Sequence, residues 1–212
     1  CKNADIIPLL GTELYLKDEK YDNGKPKGYH LILWAYNEEG LHNLWAISSA
    51  TYLATTKNHK TPNASWDMFA GHGAGLVCSS ACLASMLDQA ALKDDRKMAD
   101  YFCQKCQETF DYFAVELHTN EQHQVNLWLD KYARENNIPT VYAVDAHYAR
   151  KEDAELHDVW LGCSTKAHFD EQHFRMDHEY YIQDEHEIRE RLAYLGEESV
   201  ERCFDGVDAL LS

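Results

Sequence analysis

The sequence predicts an α/β fold, on three observations. Short β-rich apolar runs alternate with segments whose apolar residues recur at helical spacing. A chain of 212 residues that is 45% hydrophobic is long enough to bury a sizeable core within one domain. No internal repeat, low-complexity tract or Pro/Ser-rich linker interrupts it. The alternation argues for mostly parallel pairing, and strands this short, separated by long loops, favour a barrel-like closure over a wide open sheet.

The elements follow in order. "IIPLLGTELYL" (6–16) is β-rich and bounded by charge. "KDEKYDNGKPKG" comes next, with Asn23-Gly24 as a hairpin signal. "YHLILWAY" (29–36) is the return strand, which carries His30 back toward the strand holding Glu13. "NEEGLHNLWAISSATYLA" places Leu41, Leu44, Ile47, Tyr52 and Leu53 at helical spacing. After a variable stretch, "GAGLVCSSACLAS" reads as a short Gly-led strand and a small-residue loop. "DDRKMADYFCQKCQETF" is a helix, "DYFAVELH" a strand, "EQHQVNLWLDKYARENN" a helix and "IPTVYAVDAHY" a strand. "KEDAELHDVWLGCST" is helical, and two further helices occupy about 185–211.

Charge is lopsided, with 36 acidic against 20 basic residues and a net charge of −16. Such a surface repels phosphate backbones, which excludes a basic nucleic-acid groove within this chain. No apolar run approaches the roughly 18 residues that span a bilayer, and no signal peptide precedes the first strand. Cys1, Cys78, Cys82, Cys103, Cys106, Cys163 and Cys203 are an odd set without the spacing of a disulfide scaffold. We read them as reduced and the protein as cytoplasmic, with the Asn63-Ala64-Ser65 sequon accidental. The opening "CKNADIIPLLGTE" reads as the tail of a helix running straight into a strand, which suggests a fragment.

In an α/β barrel, the C-terminal strand ends and the loops after them form the reactive face. Glu13 follows "LLGT", Cys82 follows "LVCSSA", Glu116 closes "YFAVE", and Asp145 and His147 close "TVYAV". Side chains alternate along extended backbone, so Asp145 and His147 should point to one side. A carboxylate and an imidazole held that way suit Zn²⁺ or Mn²⁺, and a thiolate at Cys82 tips the preference toward zinc. A D-x-H alone is more often a helix cap beside a surface imidazole.

Other features read as structure. Cys103-x-x-Cys106 lies mid-helix without a second CxxC, which suggests two small buried residues one turn apart. His168, His173 and His178 match neither helical nor strand period and read as loop residues. "HGAG" (72–75) lacks the Lys-Ser/Thr of a phosphate loop. Ser79 and Ser80 lack a G-x-S-x-G elbow. "DEK" and "GEESVER" read as solvated faces.

Taken together, "IPLLGTELYL", "YHLILWAYNEEGLHNL", "GLVCSSACLAS", "YFAVEL", "IPTVYAVDAHYARKEDAELHDVWL" and "RMDHEYYIQDEHEI" resemble the PHP (polymerase and histidinol phosphatase) domain of bacterial DNA polymerase III α subunits, in order and through nearly the whole chain. The resemblance implies a single PHP domain over 1–212. Its fold would be a distorted seven-stranded β/α barrel, with the helices from about 185 leading toward the polymerase thumb and palm. It also implies a cluster of up to three divalent metals, Zn²⁺ or Mn²⁺. Position by position, Glu13 matches the glutamate after "GT", a bridging carboxylate, and His30 the histidine opening "HLILWA". Cys82 matches the cysteine of "SACLA", and Asp145 and His147 the closing aspartate and histidine. Glu116 is a weaker candidate behind them.

The family pattern begins with an H-x-H strand, then an aspartate and another histidine, upstream of "CKNADIIPLLGTE"; this sequence has none of them. The first strand or strands of the barrel are therefore expected to be missing from this chain. A separate N-terminal segment could supply those ligands, and Cys1 fits the residue after an intein splice junction. With the ligands restored, the resemblance implies metal-dependent 3′→5′ exonucleolytic proofreading on single-stranded primer ends, with Asp145, His147 and Glu13 at the chemistry. Two alternatives stay open: a non-catalytic scaffold of the polymerase subunit, and a stand-alone PHP phosphoesterase.

Overall fold

The computed structural model describes residues 8–22, 24, 28–55, 61–120, 123–165 and 179–211. Asn23 of the hairpin signal, Cys1, and the histidines at 168, 173 and 178 lie outside them. The strands are β1 (Leu10–Leu16), β2 (Tyr29–Ala35), β3 (Leu76–Ser79), β4 (Tyr112–His118) and β5 (Thr140–Ala143). The helices are α1 (Glu38–Leu53), α2 (Trp66–Phe69), α3 (Met86–Leu92), α4 (Arg96–Thr109), α5 (His123–Glu135), α6 (Ala154–Thr165), α7 (Glu185–Leu192) and α8 (Glu197–Leu211). The fold is mixed α/β around a five-stranded sheet in the order β1-β2-β3-β4-β5.

The pairing corrects the expectation of mostly parallel strands. β1/β2 and β2/β3 are antiparallel, and β3/β4 is parallel. Neighbouring strands run parallel when the connection returns the chain to the end where the first strand began, and antiparallel when it does not. The segment from Tyr36 to Gly75 contains α1, α2 and long loops, enough chain to bring β3 back running against β2. Its close approach depends on glycine. A Cβ on Gly40 at the start of α1 would lie 1.8 Å from the Gly75 carbonyl oxygen, and Gly75 itself has φ +74.

The chain divides into two compact units, Cys1–Glu116 with Lys131–Thr140, and Leu117–Asp130 with Val141–Ser212. In the first, β1 buries Leu14 and Leu16 while β2 buries Leu31 and Leu33, leaving Glu13 and His30 on the opposite face. α4 buries Met98, Ala99, Phe102, Cys103 and Cys106, the stripe that helical spacing dictates. Edge-to-face aromatic pairs, Phe69 with Phe110 and Phe102 with Phe113, fill the space beside them. Asp95 caps α4 and Asn37 caps α1 through their side chains.

The charged runs are solvated faces at Glu19, Lys20, Glu197, Glu198 and Glu201, with one buried carboxylate among them. Asp18 of "DEK" is 3% exposed. Its Oδ1 accepts from the Lys20 and Tyr21 amides, and its Oδ2 from Trp66 Nε1 at 2.7 Å and Tyr101 O–H at 2.9 Å. A buried carboxylate survives when donors surround it, a condition that residue type along the chain does not reveal. In "GEESVER", Ser199 is buried with its hydroxyl donating to Asp130 at 2.8 Å, and Val200 is buried in the apolar cluster of the second unit.

The second unit gathers Ile188, Leu192 and Val200 with Tyr142, Val144, Tyr194, Leu195 and Phe204. Asp184 and Glu187 form a reciprocal capping box at the start of α7. The Arg189 guanidinium lies 3.9 Å from the Phe204 ring centre. Among the described residues, no helix is long and apolar enough to cross a membrane.

Candidate functional site

The hairpin brings Glu13 and His30 together on one face. Their strands pair so that Glu13 lies opposite Ile32 and Tyr15 opposite His30, which makes Glu13 and His30 diagonal neighbours. Glu13 Oε1 is 2.5 Å from His30 Nδ1. The Tyr15 ring meets the imidazole edge-on at 5.1 Å and helps hold its plane.

Cys82 arrives by a different route. After β3, Ala81 takes a left-handed conformation with φ 65, and the loop turns back along β2. The His30 amide donates to the Ala84 carbonyl, and a bridge pairs His30 with Ser85. That return lays Cys82 Sγ 3.3 Å from His30 Nδ1. A carboxylate oxygen, an imidazole nitrogen and a thiol sulfur thus converge on one point, from residues 13, 30 and 82.

The spacing tests whether this cluster suits a divalent ion. Zn–N bonds near 2.0 Å and Zn–S bonds near 2.3 Å place tetrahedral ligand atoms about 3.3–3.5 Å apart. The Cys82–His30 separation already matches, whereas the Glu13–His30 contact is a hydrogen bond that must open by about 0.8 Å. The donor set fits zinc in type, and the side chains of Glu13 and His30 are 50% and 24% exposed, so Glu13 has room to move. Among the described residues, no group of three or more His, Cys, Asp or Glu is arranged as a metal site.

Asp145 and His147 belong to the second unit. β5 ends at Ala143, and Asp145 has φ 47, so the pair does not lie on extended backbone. Strand alternation therefore does not orient them, contrary to the expectation. Local hydrogen bonds do: the His147 amide donates to Tyr180 O at 2.8 Å, and His147 Nδ1 is 2.7 Å from Asp145 O. With Nδ1 donating to that carbonyl, Nε2 carries the lone pair that a metal or a proton would take. Asp145 Oδ1 is 3.9 Å from Nδ1. His157 lies 5.9 Å from the His147 ring, and burial, with His147 as a second cause, pushes its pKa below the usual imidazole range. Asp158 opposes that shift.

Glu116 is buried at 3% and joins β3 to β4. Ser79 Oγ donates to its carboxylate in a very short hydrogen bond, while its amide donates to Ser80 Oγ at 2.9 Å. The two serines are thus Glu116's partners, a role the sequence does not display. Cys103 and Cys106 are buried on α4, where burial raises both thiols, Cys103 to about 12. Cys106 Sγ lies 3.9 Å from Cys78 Sγ. Thiols held neutral this firmly are packing groups.

The family described as "PHP domain" matches residues 1–120. The DNA polymerase III subunit alpha of Borreliella burgdorferi is 32% identical over 200 residues, covering 89% of this chain and 17% of the relative. That of Thermus aquaticus is 31% identical over 200 residues, covering 88% and 16%. That of Campylobacter jejuni is 26% identical over 214 residues, covering 92% and 18%. The chain thus spans less than one fifth of the length of these relatives.

Proposed function

The chain belongs to the PHP domain family, and from that premise we propose that it serves as the PHP domain of a C-family replicative DNA polymerase, hydrolysing phosphodiesters from the 3′ end in a metal-dependent reaction. The observation that carries the proposal is the convergence of Glu13 Oε1 and Cys82 Sγ on His30 Nδ1. On this reading residues 1–212 are a single PHP domain with the family's distorted-barrel fold. Proofreading of a single-stranded primer end, contact with thumb and palm, and a cytoplasmic location are parts of the same reading.

Glu13, His30, Cys82, Asp145 and His147 would hold Zn²⁺ or Mn²⁺, with further ligands from outside this sequence. Bound divalent ions supply a hydroxide near neutral pH and offset charge on the phosphate oxygens. The chain's own groups do the rest. Glu13 would exchange its hydrogen bond with His30 for a ligand position. Cys82 would give up its proton on binding, which would make affinity rise with pH. With the Asp145 carbonyl accepting from His147 Nδ1, the tautomer leaves the lone pair on Nε2. The acidic surface, at −16, leaves neutralisation of the substrate to the ions and to the rest of the polymerase.

A second reading, a non-catalytic scaffold, is favoured by one feature: Glu13 and His30 already satisfy each other without an ion. Dialysis against Co²⁺ separates the two. A catalytic domain takes up the ion with thiolate-to-metal charge-transfer absorption that Cys82→Ser abolishes and Glu13→Gln weakens. The full-length polymerase then shows 3′→5′ nuclease activity that chelator removes and metal restores. A protein that binds no ion through Cys82, and whose nuclease activity ignores chelator, is the scaffold.

A further inference from the structure

A cavity within the second unit has features of a ligand site that the metal reading does not use. Its volume is about 600 Å³, in the range that small ligands occupy. Thr119 and Asn120 line it at the C-terminal end of β4, and each is only 3% exposed. Their backbone is fixed: the Thr119 amide donates to Ala143 O, and the Asn126 side chain brackets His118 through its amide and carbonyl. Yet Thr119 Oγ1, Asn120 Oδ1 and Asn120 Nδ2 have no hydrogen-bond partner among the described residues. Buried amides are almost always paired, because an unpaired one forfeits its hydration for nothing.

The opposite wall is aromatic. The exposed His123 ring stacks on Tyr194, with centres 4.0 Å apart and planes 31° from parallel. Tyr194 is held in turn by the Asn126 side-chain amide at 2.6 Å. The cavity's cation, Arg191, is committed to Glu179 by an ion pair, and Lys151 also approaches that carboxylate, at 3.7 Å. With Glu190 adding a further negative charge, the cavity offers no uncompensated cation to a phosphate. What fits is a neutral planar ring whose edge carries a donor beside an acceptor, since a carboxamide pairs with such an edge through both its atoms.

We propose that this cavity binds a nucleobase, its edge read by Asn120 and Thr119 and its face stacked on His123. Rotation about χ2 of Asn120 turns its amide toward the ring. None of the five proposed metal ligands lines the cavity, and its test is run in chelator, so its failure leaves the metal reading untouched and the reverse also holds.

The test titrates the 212-residue chain with adenosine, thymidine, a short single-stranded oligonucleotide and the same oligonucleotide made abasic, by calorimetry. Saturable binding of base-bearing ligands is expected, with His123→Ala weakening it at least tenfold at unchanged far-UV circular dichroism; His123 is exposed, so its loss does not threaten the fold. Asn120→Asp, which exchanges a donor for an acceptor, is expected to change the preference between adenosine and thymidine. Tighter binding of the oligonucleotide than of nucleosides identifies a strand as the source; equal binding identifies free nucleosides. Equal affinity for the abasic strand, indifference to His123→Ala, or no saturation by about 10 mM nucleoside overturns the proposal.

Discussion

Replacing Asp18 with asparagine isolates the buried carboxylate that ties the loop after β1 to α2 and α4. Asp18 receives four hydrogen bonds, two from backbone amides and two from Trp66 and Tyr101. In Asp18→Asn the carboxamide oxygen can keep the two amides, and the Tyr101 hydroxyl can rotate to accept from the new NH₂. The Trp66 indole cannot, because it only donates. One buried N–H is therefore orphaned at about 1–3 kcal/mol, and the remaining bonds lose their ionic component, so about 2–4 kcal/mol is expected in total. For a chain of this length each kcal/mol lowers Tm by about 2–4 °C, giving a drop of roughly 5–15 °C. Thermal unfolding followed by circular dichroism, with tryptophan fluorescence as a second probe, measures it. An Asp18→Asn protein that melts within about 1 °C of the parent would refute the reasoning, because the bonds would then be contributing nothing.

Burial, reinforced by the bond to Asp18, raises the Tyr101 phenol from 10.0 to about 12. The fold thus favours the neutral phenol, so its contribution is complete below pH 10 and lost as pH climbs toward 12; Tyr101→Phe should flatten that alkaline decline in stability. Gly40→Ala drives a methyl into the Gly75 carbonyl and should abolish soluble expression, whereas Gly24→Ala meets open space at φ +67 and should cost only about 1–2 kcal/mol. Asp145→Gly relieves a left-handed backbone, φ 47, and should hold or raise Tm while lowering metal uptake; a large loss of stability would show that the carboxylate supports the fold instead.

The order of the elements was legible in the sequence because it rests on local rules. Asn37 and Asp95 cap helices where polar residues precede apolar periodicity, and "LILWA" and "YFAVELH" alternate or run apolar as strands do. Glu13 and His30 could be paired in advance, since a hairpin fixes which residues lie diagonal to one another. The short helix α3 and the left-handed Ala81 before it were not visible, nor was the return of that loop along β2 that delivers Cys82.

The residue types that hold divalent ions, the helix faces that become core and the acidic surface are properties of composition and spacing, and the sequence carries them alone. Strand direction, the burial of Asp18, the serine pair around Glu116 and the orientation of His147 depend on contacts between residues distant along the chain or on a backbone turn no side chain announces. Local preferences select elements one at a time. Which donor faces which acceptor is decided only when the elements pack and water is expelled from between them.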